Sequence, residues 1–65
     1  MQSLYPYLLT TDQASDLLGL QPATLKRWRV LGIGPKYVRL GRRSIRYRQS
    51  DLKAFISLNG VEVGQ

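Results

Sequence analysis

The apolar positions of the chain follow two different rhythms, and the change of rhythm divides it into elements. In "TTDQASDLLGL", Ala14, Leu17 and Leu18 recur at i, i+3 and i+4, one stripe of a helix. Thr10 or Thr11 suits the N-cap, Asp12 favours the first turn, and Gly19 supplies the residue past the end. Gln21-Pro22 restarts the chain, because proline is preorganised for the first helical position. The pattern predicts a second helix from Pro22 to about Leu31, stopped by Gly32. Only about three residues separate the two helices, a helix-turn-helix spacing. At about 100° per residue, Leu25, Trp28 and Leu31 share one side of the second helix, with Thr24 at its edge. Ala23, Lys26 and Val30 fall opposite, flanked by Pro22, Arg27 and Arg29.

After the breakers Gly32, Gly34 and Pro35 the period becomes two. Tyr37-Val38-Arg39-Leu40 and Ser44-Ile45-Arg46-Tyr47 both alternate, and Gly41-Arg42-Arg43 joins them as a tight hairpin loop. A last helix is expected with Ser50 as N-cap, Asp51 in its first turn, Leu52, Phe55 and Ile56 as its stripe, and Asn59-Gly60 as its end. The expected core is Leu9, Ala14, Leu17, Leu18, Leu20, Leu25, Trp28, Leu31, Val38, Leu40, Ile45, Tyr47, Leu52, Phe55 and Ile56. Residues 1–8 read as an N-terminal arm, 9–59 as the folded domain and 60–65, ending in "VEVGQ", as a flexible tail. The fold class expected from this order is mainly α with a small β-hairpin: a winged helix-turn-helix.

Composition narrows the chemistry. A 65-residue chain is one domain, and a domain of that size buries only about 60% of its unfolded surface. It has no cysteine, so neither a disulfide nor a thiolate metal site is expected, and no histidine to act as base or ligand. The acids Asp12, Asp16, Asp51 and Glu62 are scattered. Asp12 and Asp16 stand at helical spacing, but they read as the start and outer face of the first helix, not as a catalytic dyad. With little room for a substrate pocket, the chain is expected to be no enzyme and to need no cofactor and no metal. No apolar run approaches the ~18 residues of a membrane span, and "MQSLYPYLL" lacks the positive start of a signal peptide, so a cytoplasmic protein with no membrane partner is expected.

The charge decides the partner. The net charge is +6, and no acid lies between Asp16 and Asp51, an interval that holds Lys26, Arg27, Arg29, Lys36, Arg39, Arg42, Arg43, Arg46 and Arg48. A solubilising surface would mix signs; a continuous basic segment points to a polyanion. Small residues at the start of the second helix allow close approach to base edges, and the cations along it can reach bases or phosphates. Arg42 and Arg43 repel each other at the hairpin tip, which is tolerable where the surroundings are anionic. The expected DNA-facing residues are Pro22, Ala23, Thr24, Lys26, Arg27, Arg29 and Val30 on the helix, and Arg39, Arg42, Arg43, Ser44 and Arg46 on the wing. Lys26 and Arg27 are the expected base readers. An RNA target would call for a row of exposed aromatics, whereas Trp28 and Tyr47 read as core, and Tyr5, Tyr7 and Tyr37 are uncommitted. An adaptor for an acidic protein is the non-nucleic-acid alternative, but two separated basic prongs suit a grooved duplex better.

The segments "LTTDQASDLLGLQPATLKRW" and "PKYVRLGRRSIRYRQSDLKAFI", in that order over Leu9 to Ile56, resemble the small excisionases and AlpA-like phage regulators related to the MerR winged helix. The resemblance implies a recognition helix at Pro22 to Leu31 and a wing tip at Arg42 and Arg43. It implies a bacterial or phage-encoded, nucleoid-associated protein. Its partners would be double-stranded attachment-site DNA, a tyrosine integrase and other copies of itself on DNA, and its role would be to bend DNA and direct excision of a mobile element. A transcriptional regulator of the same fold is the alternative. A MerR-type regulator carries a long coiled coil after the last helix; this chain stops too soon for that, so effector sensing of that kind is not expected.

Overall fold

The computed structural model describes residues 8–60; the readings of the arm before Leu8, including Tyr5 and Tyr7, and of the tail from Val61 lie outside them. Strand β1 (Leu8–Leu9) leads into helix α1 (Thr11–Leu18), α2 (Pro22–Leu31), β2 (Val38–Leu40), β3 (Ser44–Arg48) and α3 (Gln49–Asn59). Thr10 caps α1 reciprocally: its Oγ1 accepts the Gln13 backbone N–H at 3.1 Å, and the Gln13 side chain accepts the Thr10 N–H at 3.0 Å. Gly19 ends the helix at φ 71°, a conformation that costs glycine nothing. Its N–H donates to Asp16 O and the Leu20 N–H to Ser15 O at 2.8 Å, so two of the last carbonyls of α1 are satisfied inside the turn. Pro22 then opens α2 as expected.

The buried centre is small: Ala14, Leu25, Tyr47 and Leu52, with Leu9, Leu18, Trp28 and Ile45 packed against it. On α1 the inward row is Thr11, Ala14, Ser15 and Leu18, and Leu17, expected in the core, is exposed. Ser15 replaces it because its hydroxyl donates to Asp12 O at 2.8 Å, which removes the cost of burying it. On α3, Leu52 is buried and Phe55 meets Trp28 with ring centroids 5.8 Å apart, while Ile56 stays exposed. That helix begins one residue before the expected cap: Arg48 stands at the N-cap with no side-chain bond, and Ser50 lies inside the helix.

The hairpin lies where it was expected, and a third strand joins it. The sheet has three antiparallel strands in the order β1-β3-β2, with Leu8 opposite Arg48 and Leu9 opposite Tyr47, so Leu8 belongs to the fold rather than to the arm. In the hairpin, Val38 faces Arg46, Arg39 faces Ile45 and Leu40 faces Ser44. The three-residue loop 41–43 causes this pairing. An odd loop pairs even positions with even, and the apolar stripe of β2 is even while that of β3 is odd. Residues opposite one another share a face. Ile45 and Tyr47 therefore turn to the helices, and Val38 and Leu40 turn away with Leu8, Leu40 reaching 47% exposure. Val38 and Leu40 were expected in the core and are not there. Among the described residues no helix is long and apolar enough to cross a membrane.

Candidate nucleic-acid interface

The direction in which α2 faces sets the site. Leu25 is fully buried, and Trp28 and Arg29 are half-buried beside it. Leu31, expected on that inner side, is 59% exposed. Compared with the expected face, the buried arc is turned by about 60°, from Leu31 toward Arg29. The outward arc is consequently Ala23, Lys26, Arg27 and Val30, all exposed, with Val30 at 86%. Pro22 and Thr24 are half-buried at its margins.

Arg29 was expected among the DNA-facing cations, and its guanidinium is instead committed to the fold. Its Nη1 donates to the Tyr47 hydroxyl at 2.8 Å and to Thr11 Oγ1 at 3.2 Å, and its Cζ lies 5.8 Å from the centre of the Tyr37 ring. Tyr47 is 1% exposed, so its hydroxyl needs a partner inside the protein, and a donor that is always charged provides one. This network ties α2 to α1 and to the sheet. The sequence offered no sign of it, because its members lie 18 residues apart.

Trp28 has two close neighbours: Phe55 packs against it, and Gly34 approaches so closely that a Cβ there would sit 2.8 Å from Trp28 Cε3. Gly34 also has φ +91°, so the connector after α2 can return only with glycine at this point.

The wing carries its cations in three places. Arg42 and Arg43 are exposed at the tip. Arg39 is exposed on the face that β2 shares with Ile45, while Ser44 and Arg46 lie on the opposite face with Val38 and Leu40. Arg46 is half-buried, and its Nη1 donates to Ile45 O at 2.8 Å. Among the described residues the ion pair is Arg48 with Asp51 at 3.3 Å; Lys26, Arg27, Arg42 and Arg43 have no carboxylate at that range. Asp12 and Asp16 stand on α1, away from this row in the sequence and exposed to solvent.

Two helices joined by a tight glycine turn, a third helix and an antiparallel hairpin make this geometry, and a helix-turn-helix domain family matches it over residues 8–57. The chain belongs to that family. The match starts at the first residue of β1 and ends inside α3, so the helix-turn-helix domain includes the wing and the packing of the last helix on β3. No curated protein matches the chain. Membership in the helix-turn-helix family supports sequence-specific DNA binding. In such domains the second helix lies in the major groove while the first crosses the backbone.

Proposed function

We propose that α2 is the recognition helix, with Lys26 and Arg27 at base edges, and that the wing grips the adjoining minor groove or its phosphates. The observation that carries this reading is the exposed row Ala23, Lys26, Arg27 and Val30, with no carboxylate paired to it among the described residues. Arg42 and Arg43 form a second prong. A wing standing edgewise in a groove brings Arg39 to one phosphate backbone and Ser44 with Arg46 to the other. Arg29 acts one step back, by holding α2 at its angle.

The biological role we infer is that of an excision factor, a recombination directionality factor with no chemistry of its own. Its resemblance to excisionases over Leu9 to Ile56 supports this. One small DNA-binding module buries about 600–1,000 Å² on DNA, which is little for a unique genomic address. Several copies side by side on repeated sites supply the missing specificity and bend the duplex, drawing distant integrase sites together. The experiment joins solution sizing, footprinting and a bending assay on attachment-region DNA, followed by addition of the cognate integrase. A monomer that protects tandem sites, bends them and stimulates excision is the expected result. A stable dimer on one palindrome, with no effect on recombination, makes the protein a transcriptional regulator of the mobile element instead.

A further inference from the structure

Val30 is the most exposed large apolar residue of α2, and folding does not account for it. It is 86% exposed, so it contributes almost nothing to the core, and a β-branched residue weakens a helix slightly. It lies one turn beyond Lys26 and Arg27 on the same outward arc, and Ala23 lies one turn before them. The row thus reads small apolar, cation, cation, branched apolar. In the major groove the base edges offer chemistry to match: guanine shows two acceptors, and thymine shows a methyl group.

We propose, on the reading that α2 enters the major groove, that Val30 is a specificity residue that packs on a thymine 5-methyl group. Arg27 grips a guanine, and Ala23 leaves room for a second thymine methyl at the other end. The length of the row fixes the size of the element. Ala23 to Val30 rises about 10.5 Å along the helix, about three base steps of 3.4 Å. The DNA element is therefore about four base pairs, T·A at both ends and G·C within. Val30 to Arg27 rises about 4.5 Å, so the thymine under Val30 lies one or two steps from the guanine under Arg27.

Binding sites selected from randomised duplexes by the whole protein should contain this element. Each thymine of the selected site is then replaced by deoxyuridine, which removes only the methyl group. One replacement should weaken binding about fourfold, the effect of burying one methyl-sized group. Val30→Ala should weaken binding to the thymine site by a similar factor and no longer distinguish thymine from deoxyuridine there. Val30→Thr, which keeps a methyl of the same shape, should retain the discrimination. Tight, selective binding in which no deoxyuridine replacement matters, or in which Val30→Ala still discriminates, overturns this proposal and leaves α2 as the recognition helix. So does a Val30→Ala protein that binds single sites normally but loses cooperativity on repeated ones, since Val30 then contacts protein. Failure to select any duplex overturns the DNA reading and this inference together.

Discussion

The guanidinium of Arg29 is held by the Tyr47 hydroxyl, by Thr11 and against the Tyr37 ring, whereas Arg27, two residues earlier, projects from the helix with no carboxylate partner among the described residues. Two arginines of one helix therefore have opposite jobs, and substitution separates them. Arg29→Gln leaves the buried Tyr47 hydroxyl short of its partner and should cost about 1–3 kcal/mol. In a domain of this size that lowers Tm by roughly 5 °C or more. The salt dependence of DNA binding should stay as it is. Arg27→Gln should leave Tm within a degree or two and weaken binding to the selected site more than to random DNA. Thermal melts and salt titrations of both variants decide the matter; a stable Arg29→Gln protein with a shallower salt slope would mean that this guanidinium reaches phosphate. A double-mutant cycle of Arg29→Gln with Tyr47→Phe should show coupling of about 1 kcal/mol, as expected for partners in direct contact.

At the scale of elements, the wing and the connector carry the sharpest expectations. Arg42 and Arg43 together should account for about two phosphate contacts, each worth about 0.9 in the log–log salt slope. Replacing both by alanine should lower the magnitude of that slope by roughly 2 and leave the melt unchanged, because neither side chain packs on the core. An unaltered slope would place the wing tip away from DNA. The connector after α2 has the opposite profile. Gly34→Ala forces a Cβ to within 2.8 Å of the Trp28 ring at φ +91° and should destabilise the domain by about 1–3 kcal/mol. Denaturant unfolding measures that loss. A neutral Gly34→Ala would show that the indole can move aside.

For the whole molecule the margin is narrow. Four apolar residues form the buried centre, and a domain of this length has a net stability of about 3–10 kcal/mol. Trp28 bridges α2, the connector and α3 through Phe55 and Gly34. Trp28→Ala should remove about 3 kcal/mol and either abolish the cooperative melt or lower Tm by more than about 10 °C. Far-ultraviolet dichroism on heating gives the answer, and DNA added in excess should restore part of the lost stability, since a ligand of the native state shifts the equilibrium toward it. A Trp28→Ala domain that melts normally but no longer binds DNA would put the indole in the groove.

The sequence alone determined those features that depend on neighbours along the chain. The Thr10 cap, the turn at Gly19, proline at the start of α2 and the change of period after Gly34 are local backbone preferences, so the order of the three helices and the hairpin was legible in them. The exposed cations of α2 and the wing tip were legible too, because a run of unpaired charge has no place in a core. Which face each element buries was a different matter, because that depends on what packs against it. Leu31 gave way to Arg29 because the Tyr47 hydroxyl, brought alongside by β3, makes burial of a guanidinium favourable. Ser15 displaced Leu17 because a small, internally bonded hydroxyl could be buried on the inner face of α1. Val38 and Leu40 left the core because the odd hairpin loop pairs them with Arg46 and Ser44, and β1 became visible only where Tyr47 and Arg48 offered it a partner. Alternation in a strand names two faces without saying which is inner; only the pairing of strands, and the helices laid on one side of them, decides that.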